Sequence, residues 1–447
     1  MTADPKLIEM STEATTSLVM ANTTNPLGVR IQIRALELPD AKRPALNLGL
    51  VLDTSGSMEG DAIAALRSSA RALIGKLRDG DRVSVVAFHS KVDVLVANTR
   101  IDSSSRKQID AVIAKIVARG TTDLAAGLSA GLAQVRAGQL PQGINRVVLL
   151  SDGVPNTSVA LPGLVTSAHQ LGIAMTTIGL GVDYDTVLMT QLARDTGGSF
   201  HYLEKPDAIA AVFDDELTRM STVVGRNLQL ALEPGPGVTI EPMPGLVTGA
   251  DGKIYATLGD LPAGDKRDLM IPIKVTARGE GSTAELISAT LSFDDVIGQS
   301  GRRERDGFVA VKTSRDAVAV RKAVKIDLEV ARVRTTAASA ILEAITLARQ
   351  GQLELARKRL ANAADLVRAA STRLADPELA QIVSQLEAVT QQLAQLVARQ
   401  DDDRTMAADS DEPSSLSRAP ATAPMAIEVQ LRKTEEKASM SVSGRHH

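Results

Sequence analysis

Apolar and polar positions fall into three patterns along the chain. From about 45 to 222, short unbroken apolar runs alternate with longer segments at helical spacing. The runs 47–52, 82–88, 92–97, 145–151 and 173–179 predict strands, and 199–202 reads as the last one. The segments 59–78, 103–118, 123–137, 161–171, 184–196 and 206–222 predict helices. Strands separated by helices imply an α/β fold, a doubly wound and mainly parallel sheet covered on both faces. The segment 90–97, following 83–88 after a tight turn, has the place of an antiparallel edge strand.

A second pattern flanks the first. Val29, Ile31 and Ile33 alternate with polar residues inside 15–38, which predicts a strand with one buried face. From 227 to 313 short apolar segments (228–232, 238–240, 254–258, 269–275, 284–293 and 308–312) are punctuated by Gly and Pro, as in an antiparallel β-sandwich. The N-terminal residues are too few for a core of their own, so they are expected to pair with those later strands. The stretch 258–264, Leu-Gly-Asp-Leu-Pro-Ala-Gly, looks like a G-x-L-x-x-G turn of such a β module, and a plain hairpin connection made by Gly and Pro explains it fully.

The third pattern is helical. Between 316 and 400 apolar residues recur at helical spacing, with breaks near Gly351 and Asp376-Pro377, predicting a hairpin or three-helix bundle. The stretch 350–356 also has the look of a tetratricopeptide-type turn, without a second copy at the expected period. The apolar stripe reads as bundle core, and an unpaired face would allow self-association through these helices. Residues 401–447 turn to Ser, Pro, Ala, Asp and Thr and are expected to be a disordered tail. Within it, 426–432 alternates apolar and polar residues, which reads first as chance patterning in a linker and second as a strand that could add to a partner's sheet. The expected division is thus 1–44, N-terminal strands; 45–222, α/β unit; 223–315, sandwich; 316–400, helical bundle; and 401–447, tail.

The chemistry concentrates at Leu48 to Gly60, LGLVLDTSGSMEG. The buried-type strand stops at Asp53, and Asp53, Ser55 and Ser57 follow at alternate positions at its carboxyl end, where an open α/β sheet places its ligands. Taken alone, the pattern equally fits an Asx turn leading into a helix capped by Ser57. Two more segments could deliver oxygens to the same crevice. One is the polar turn Arg119-Gly120-Thr121-Thr122-Asp123 before a helix, and the other is Ser151-Asp152-Gly153 at the end of a second buried-type strand. Converging hard oxygens suit a hard divalent cation such as Mg²⁺.

This constellation resembles the metal-ion-dependent adhesion site of the von Willebrand factor A domain family, and the order of elements from about 45 to 216 follows that family. Carried over residue by residue, Asp53, Ser55 and Ser57 match its D-x-S-x-S, Thr122 its isolated threonine and Asp152 its second aspartate. The resemblance implies a bound Mg²⁺, with Mn²⁺ or Ca²⁺ as the other candidates, held by Asp53, Ser55, Ser57, Thr122 and Asp152. It also implies a partner protein whose Glu or Asp carboxylate completes the coordination. The layout with a trailing sandwich and C-terminal helices is similar to that of bacterial members of the family.

Composition narrows the rest. With 447 residues and 44% hydrophobic content the chain has the size of two to four globular domains. It lacks Trp and has three Tyr and five Phe, so it offers no stacking platform for single-stranded nucleic acid. A net charge of −3 gives no basic face for a phosphate backbone. Without cysteine there are no disulfides, thiolate metal sites or thiol nucleophiles. No secretory signal pattern or membrane-length apolar run is seen, which makes a cytoplasmic location the expectation.

His89, His169 and His201 do not share metal-ligand spacing and read as structural residues. Asp183 and Asp185 could ring the crevice or cap the helix that follows, and Glu59 reads as a first-turn helical acid. No catalytic residue and no organic cofactor site is assigned. The function expected is a metal-dependent protein-binding scaffold. The alternative is a Mg²⁺-dependent phosphoesterase using the same crevice, against which stand the lack of a D-x-D nucleophile and of an evident base. In a third reading the metal only steadies the fold.

Overall fold

The computed structural model describes residues 7–37, 43–153, 160–408 and 422–444, and in 395–408 and 422–432 the backbone alone. Three strands open the chain: β1 (Ile8–Ala14), β2 (Leu18–Met20) and β3 (Thr24–Ala35). An α/β unit follows, beginning β4 (Leu46–Asp53), α1 (Asp61–Lys76), β5 (Arg82–Phe88), β6 (Val92–Arg100), α2 (Ser103–Ile113) and α3 (Leu124–Ala137). It continues β7 (Ile144–Ser151), α4 (Leu161–Gln170), β8 (Ala174–Leu180), α5 (Thr186–Asp195), β9 (Phe200–Leu203) and α6 (Ile209–Ser221).

Its six-stranded sheet has the order β6-β5-β4-β7-β8-β9, parallel except for β6 at one edge. Every residue of β4 and β7 is buried, which is why their sequences read as continuous apolar runs rather than as alternation. Separate apolar clusters cover the two faces: Leu48, Leu50 and Leu52 belong to one, Val51 and Val147 to the other. Helix α3 lies close on the second face because Gly127 and Gly131 present no side chain there; a Cβ would run into Phe88 and Val51 respectively. That close approach sets the loop before α3 beside the end of β4.

The chain then builds β10 (Val223–Pro234), β11 (Val238–Ile240), β12 (Leu246–Thr248), β13 (Ile254–Pro262), β14 (Lys266–Thr276), β15 (Thr283–Asp295) and β16 (Gly301–Ser314). They form two sheets, ordered β1-β3-β14-β11 and β12-β13-β10-β15-β16-β2. The pairing of β3 with β14 joins Thr24–Ala35 to a strand some 240 residues later, so the α/β unit leaves and re-enters one structure. One apolar cluster holds Ile31 and Ile33 of the first sheet with Leu230 and Leu291 of the second.

Five helices close the chain: α7 (Ala317–Lys322), α8 (Ile326–Arg349), α9 (Leu353–Leu374), α10 (Pro377–Ala408) and α11 (Thr422–Ser443). Val333, Ile341 and Ile345 of α8 belong to the same core as the two sheets. Buried residues occur all round α8, including Glu329, Arg332 and Ser339, the mark of a helix packed on every side. Glu329 accepts bonds from Arg332 at 2.8 Å and from Arg373 of α9 at 2.8 Å. Burial opposes its charge, yet those guanidinium bonds prevail and hold its pKa below the ordinary carboxylate value.

The structure departs from the sequence expectations at several points. Of the supposed disordered tail, 401–408 continues helix α10 and Thr422–Ser443 is helix α11, so 426–432 lies inside a helix rather than in a strand; 409–421 and 445–447 lie outside the described residues. Ala, Met, Glu, Gln, Lys and Arg make 422–443 a good helix former, and Ala438 and Val442, one turn apart, enter the core. Composition averaged over the whole tail hides this short amphipathic stretch. The helical region gains a fourth long member, and the segment before Ile326 is a separate short helix. Helix α2 ends at Ile113 rather than near 118. Gly259 is not part of a hairpin turn: it sits inside β13 at a register shift opposite Leu228, with φ +74°. The turn itself is closed by Asp265 N donating to Pro262 O at 3.2 Å.

Candidate metal site at the end of the central strands

Because β4 and β7 run parallel with Leu52 opposite Leu150, both strands end at the same level. Asp53 closes β4 and Ser151 closes β7. The Ser151 hydroxyl donates to Asp53 Oδ2 at 2.5 Å, and Ser55 N donates to Asp53 Oδ1 at 2.9 Å, so an Asx turn is indeed present. It does not lead into a helix capped by Ser57: Gly56–Met58 form a single 3₁₀ turn, and α1 starts at Asp61. Glu59 therefore precedes the helix, and Asp61 is the acid in its first turn.

The loop before α3 is stitched to this turn through the backbone. Arg119 N donates to Thr54 O at 2.7 Å and Gly56 N to Gly120 O at 3.0 Å. Thr54 N and Asp123 N are bonded in turn to the carbonyls of Phe88 and His89 at the end of β5. Asp123 caps α3 through Ala126 N at 3.1 Å. Thr122 is buried while Thr121 is exposed, and the Thr122 hydroxyl lies against Gly153, 2.9 Å from where a Cβ would stand.

The third segment completes the cluster. Ser57 Oγ donates to Asp152 Oδ1 at 2.7 Å, and the Ser55 and Ser57 hydroxyls are 3.0 Å apart. Asp53, Ser55, Ser57, Thr122 and Asp152 thus come from three loops to one crevice. Burial grades across it: Asp53 is fully buried and Ser55 and Thr122 nearly so, while Ser57 is exposed and Asp152 half-buried. The crevice is open on the Ser57 and Asp152 side.

Electrostatics point the same way. Burial pushes the Asp53 carboxyl above its ordinary pKa against the opposing bonds from Ser151 and Ser55. Asp152 rises to about 6, first through burial and then through the charges of Asp53 and Asp183, against the bond from Ser57. A buried carboxylate with a half-buried one beside it favours a cation between them. With three hydroxyls beside them and no nitrogen or sulfur, the donor set fits a hard, oxygen-seeking divalent ion. Among the described residues, no group of three His, Asp or Glu side chains forms a metal site of another kind.

The neighbouring candidates fall into supporting places. Asp185 caps α5 by accepting from Leu188 N at 3.0 Å, whereas Asp183 is exposed and near enough for its charge to act on Asp152. His89 Nε2 takes a bond from Arg119 Nε at 3.0 Å, His169 meets the Thr257 hydroxyl at 3.3 Å, and His201 pairs with buried Glu216 at 3.0 Å. Sequence reasoning missed the role of Ser151 as the residue that fixes Asp53. Its position, last in a strand parallel to β4 and just before Asp152, was the available signal.

Residues 47–215 match the model of the von Willebrand factor type A domain. The uncharacterised protein YfbK of Escherichia coli K12 is 27% identical over 219 residues, covering 48% of this chain and 38% of that protein. The uncharacterised protein sll0103 of Synechocystis is 30% identical over 217 residues, covering 48% of this chain and 50% of that protein. The chain spans half the length of these relatives or less. Among solved structures, a von Willebrand factor type A protein from Catenulispora acidiphila aligns over 100% of this chain and 99% of its own, with TM-score 0.69 and 17% identity. The ArnB paralog VWA2 from Sulfolobus acidocaldarius aligns over 98% and 99%, with TM-score 0.56 and 16% identity. These likenesses extend the shared fold beyond the α/β unit. Among the described residues no helix is long and apolar enough to cross a membrane.

Proposed function

We propose that the α/β domain is a metal-dependent protein-binding module. Asp53, Ser55, Ser57, Thr122 and Asp152 would hold a divalent cation, Mg²⁺ first and Mn²⁺ or Ca²⁺ as its rivals. When bound, such an ion offers a Lewis-acidic position to a carboxylate oxygen. The partner is accordingly a protein presenting a Glu or Asp side chain. The observation that carries this reading is the bonding of Ser57 to Ser55 and to Asp152, which joins chain segments 95 residues apart at the open side of the crevice. Buried Asp53 fixes the floor, and the accessible Ser57 and Asp152 leave room for a ligand from outside.

The test has two steps. Mg²⁺ is expected to raise the melting temperature of the wild-type chain but not of Asp53→Ala or Asp152→Ala. Immobilised wild-type protein is then expected to capture a protein partner in Mg²⁺ and release it in EDTA, and neither variant should capture it. Capture that persists in EDTA and in both folded variants would overturn the proposal.

A further inference from the structure

A second site lies where the α/β unit, the two sheets and the C-terminal helices meet. The cavity there measures about 90 Å³ as traced by the centre of a water-sized sphere, several times the ~10–15 Å³ that one water takes by the same measure. Its walls are mostly apolar, formed by Phe200 of β9, Met243 before β12, Leu258 of β13, Leu342 of α8, and Met440 and Val442 of α11. The two methionines are unbranched and adapt to irregular shapes.

Two polar side chains of α5 interrupt this lining. Thr190 is 6% exposed, and its Oγ1 has no hydrogen-bond partner among the described residues. Such a buried, unsatisfied hydroxyl is rare in folded proteins and calls for an acceptor or donor at that place. Arg194 stands four residues on, on the same helix face. Its Nε donates to Asp195 Oδ1 at 3.2 Å, and among the described residues its two amino groups meet no acceptor. Both residues line the cavity.

The other charged groups around it are engaged or turned to solvent. Arg219 binds Asp265 at 3.0 Å, Glu216 binds His201 and Thr176, and Glu436 accepts from Tyr202 N at 3.2 Å. Asp215 is exposed. Arg219, bonded through one amino group only among the described residues, also brings donors to this wall, and Arg194 is the cation on the same helix face as the unpartnered Thr190 hydroxyl. A guanidinium end and a hydroxyl together supply donors suited to one carboxylate, and the apolar walls suit a hydrocarbon tail.

We propose that this cavity binds a medium-chain carboxylic acid, its carboxylate on Arg194 and Thr190 and its alkyl chain against the apolar walls. The site is separate from the metal crevice and does not depend on it.

Octanoate titrated into the full chain by calorimetry, in EDTA so that no metal can bind the carboxylate, tests the proposal. Saturable binding at one site is expected, weakened roughly tenfold or more by Arg194→Gln, as for loss of a charge-assisted pair, and by a smaller factor in Thr190→Val. Octan-1-ol, which has the tail without the charge, is expected to bind more weakly than octanoate by a similar factor. Should Arg194→Gln fail to fold, Thr190→Val and the comparison of octanoate with octanol carry the same decision. Absence of saturable octanoate binding, equal affinity for octanol, or unchanged affinity in folded Arg194→Gln overturns it.

Discussion

The Ser151 hydroxyl donates to Asp53 Oδ2 at 2.5 Å and so ties together the ends of two neighbouring parallel strands 98 residues apart in sequence. The bond stabilises the ionised form of a carboxylate whose pKa burial has raised. It also fixes which way the carboxylate turns. Ser151→Ala is therefore expected to leave the fold intact and to weaken Mg²⁺ binding by roughly tenfold, the low end for loss of a group that orients a metal ligand. Calorimetric titration of the variant against wild type measures this, and equal affinity would show that Ser151 is dispensable.

Asp152 gives the site a pH dependence with a definite sign. Its pKa is raised to about 6 in the metal-free protein, chiefly by burial. A raised carboxyl pKa contributes stability to the metal-free fold below the unfolded value, and that contribution is lost as pH rises through about 6. Metal binding needs the ionised form and runs the opposite way. Mg²⁺ affinity is expected to be nearly constant above pH 7 and to fall as pH drops through about 6, approaching tenfold per unit below it. Titrations at pH 7.5, 6.5 and 5.5 check this, and the metal-induced rise in melting temperature should shrink in parallel.

The seam between the α/β domain and the two sheets makes a third prediction. Gly259 in β13 and Gly197 after α5 meet backbone to backbone, and both have positive φ, +74° each. A Cβ at Gly259 would strike the Gly197 carbonyl. Beside them Arg146 and Asp260 pair at 2.8 Å, each less than a tenth exposed. Gly259→Ala should force the two surfaces apart and cost at least ~1–3 kcal/mol from the backbone alone. The expected readout is a lowered melting temperature, with the Mg²⁺ affinity of the remaining folded protein unchanged because the proposed metal site lies at the other end of the sheet.

What could be read from the sequence followed how much each signal depends on local pattern. β4 and β7 are buried on both faces, so their apolar runs and the polar residues that end them were visible without any tertiary information. The residues the structure gathers in the crevice sit at such strand ends or in the short turn before α3. β1 was not read as a strand because the inward positions of its alternation, Ile8, Met10, Thr12 and Ala14, are only weakly apolar as a set, and the register against β3 is what makes the pattern plain. Gly259 read as a turn residue because a bulge and a turn both use positive φ, and only the contact with Gly197 tells them apart. Arg194 and Thr190 look like ordinary positions on an amphipathic helix until the cavity beside them is seen.

α11 was the largest miss, and the way it is attached yields the last prediction. Glu436 Oε1 accepts from Tyr202 N at 3.2 Å, so the helix covers the free edge of β9, and Gly444 O accepts from Asp268 N of β14 at 3.0 Å. The helix and the residue that follows it thus bond to sheets of both units. Its Glu435 is 3% exposed and takes two bonds from Arg349 of α8, at 3.2 and 3.0 Å. Arg349→Ala withdraws those charge-assisted bonds from a buried carboxylate, at a cost of roughly 2–3 kcal/mol. Because the connection to α10 is covalent, the loss should fall on docking of the helix before it falls on the rest of the chain. Hydrogen exchange is expected to speed up across 422–444 and along β9, whereas β4 and β7 keep their protection. Arg349→Lys, which keeps the charge but not the paired geometry, should lie between the two. Uniform loss of protection throughout the chain would instead mean that α11 is part of a single cooperative fold with the central sheet.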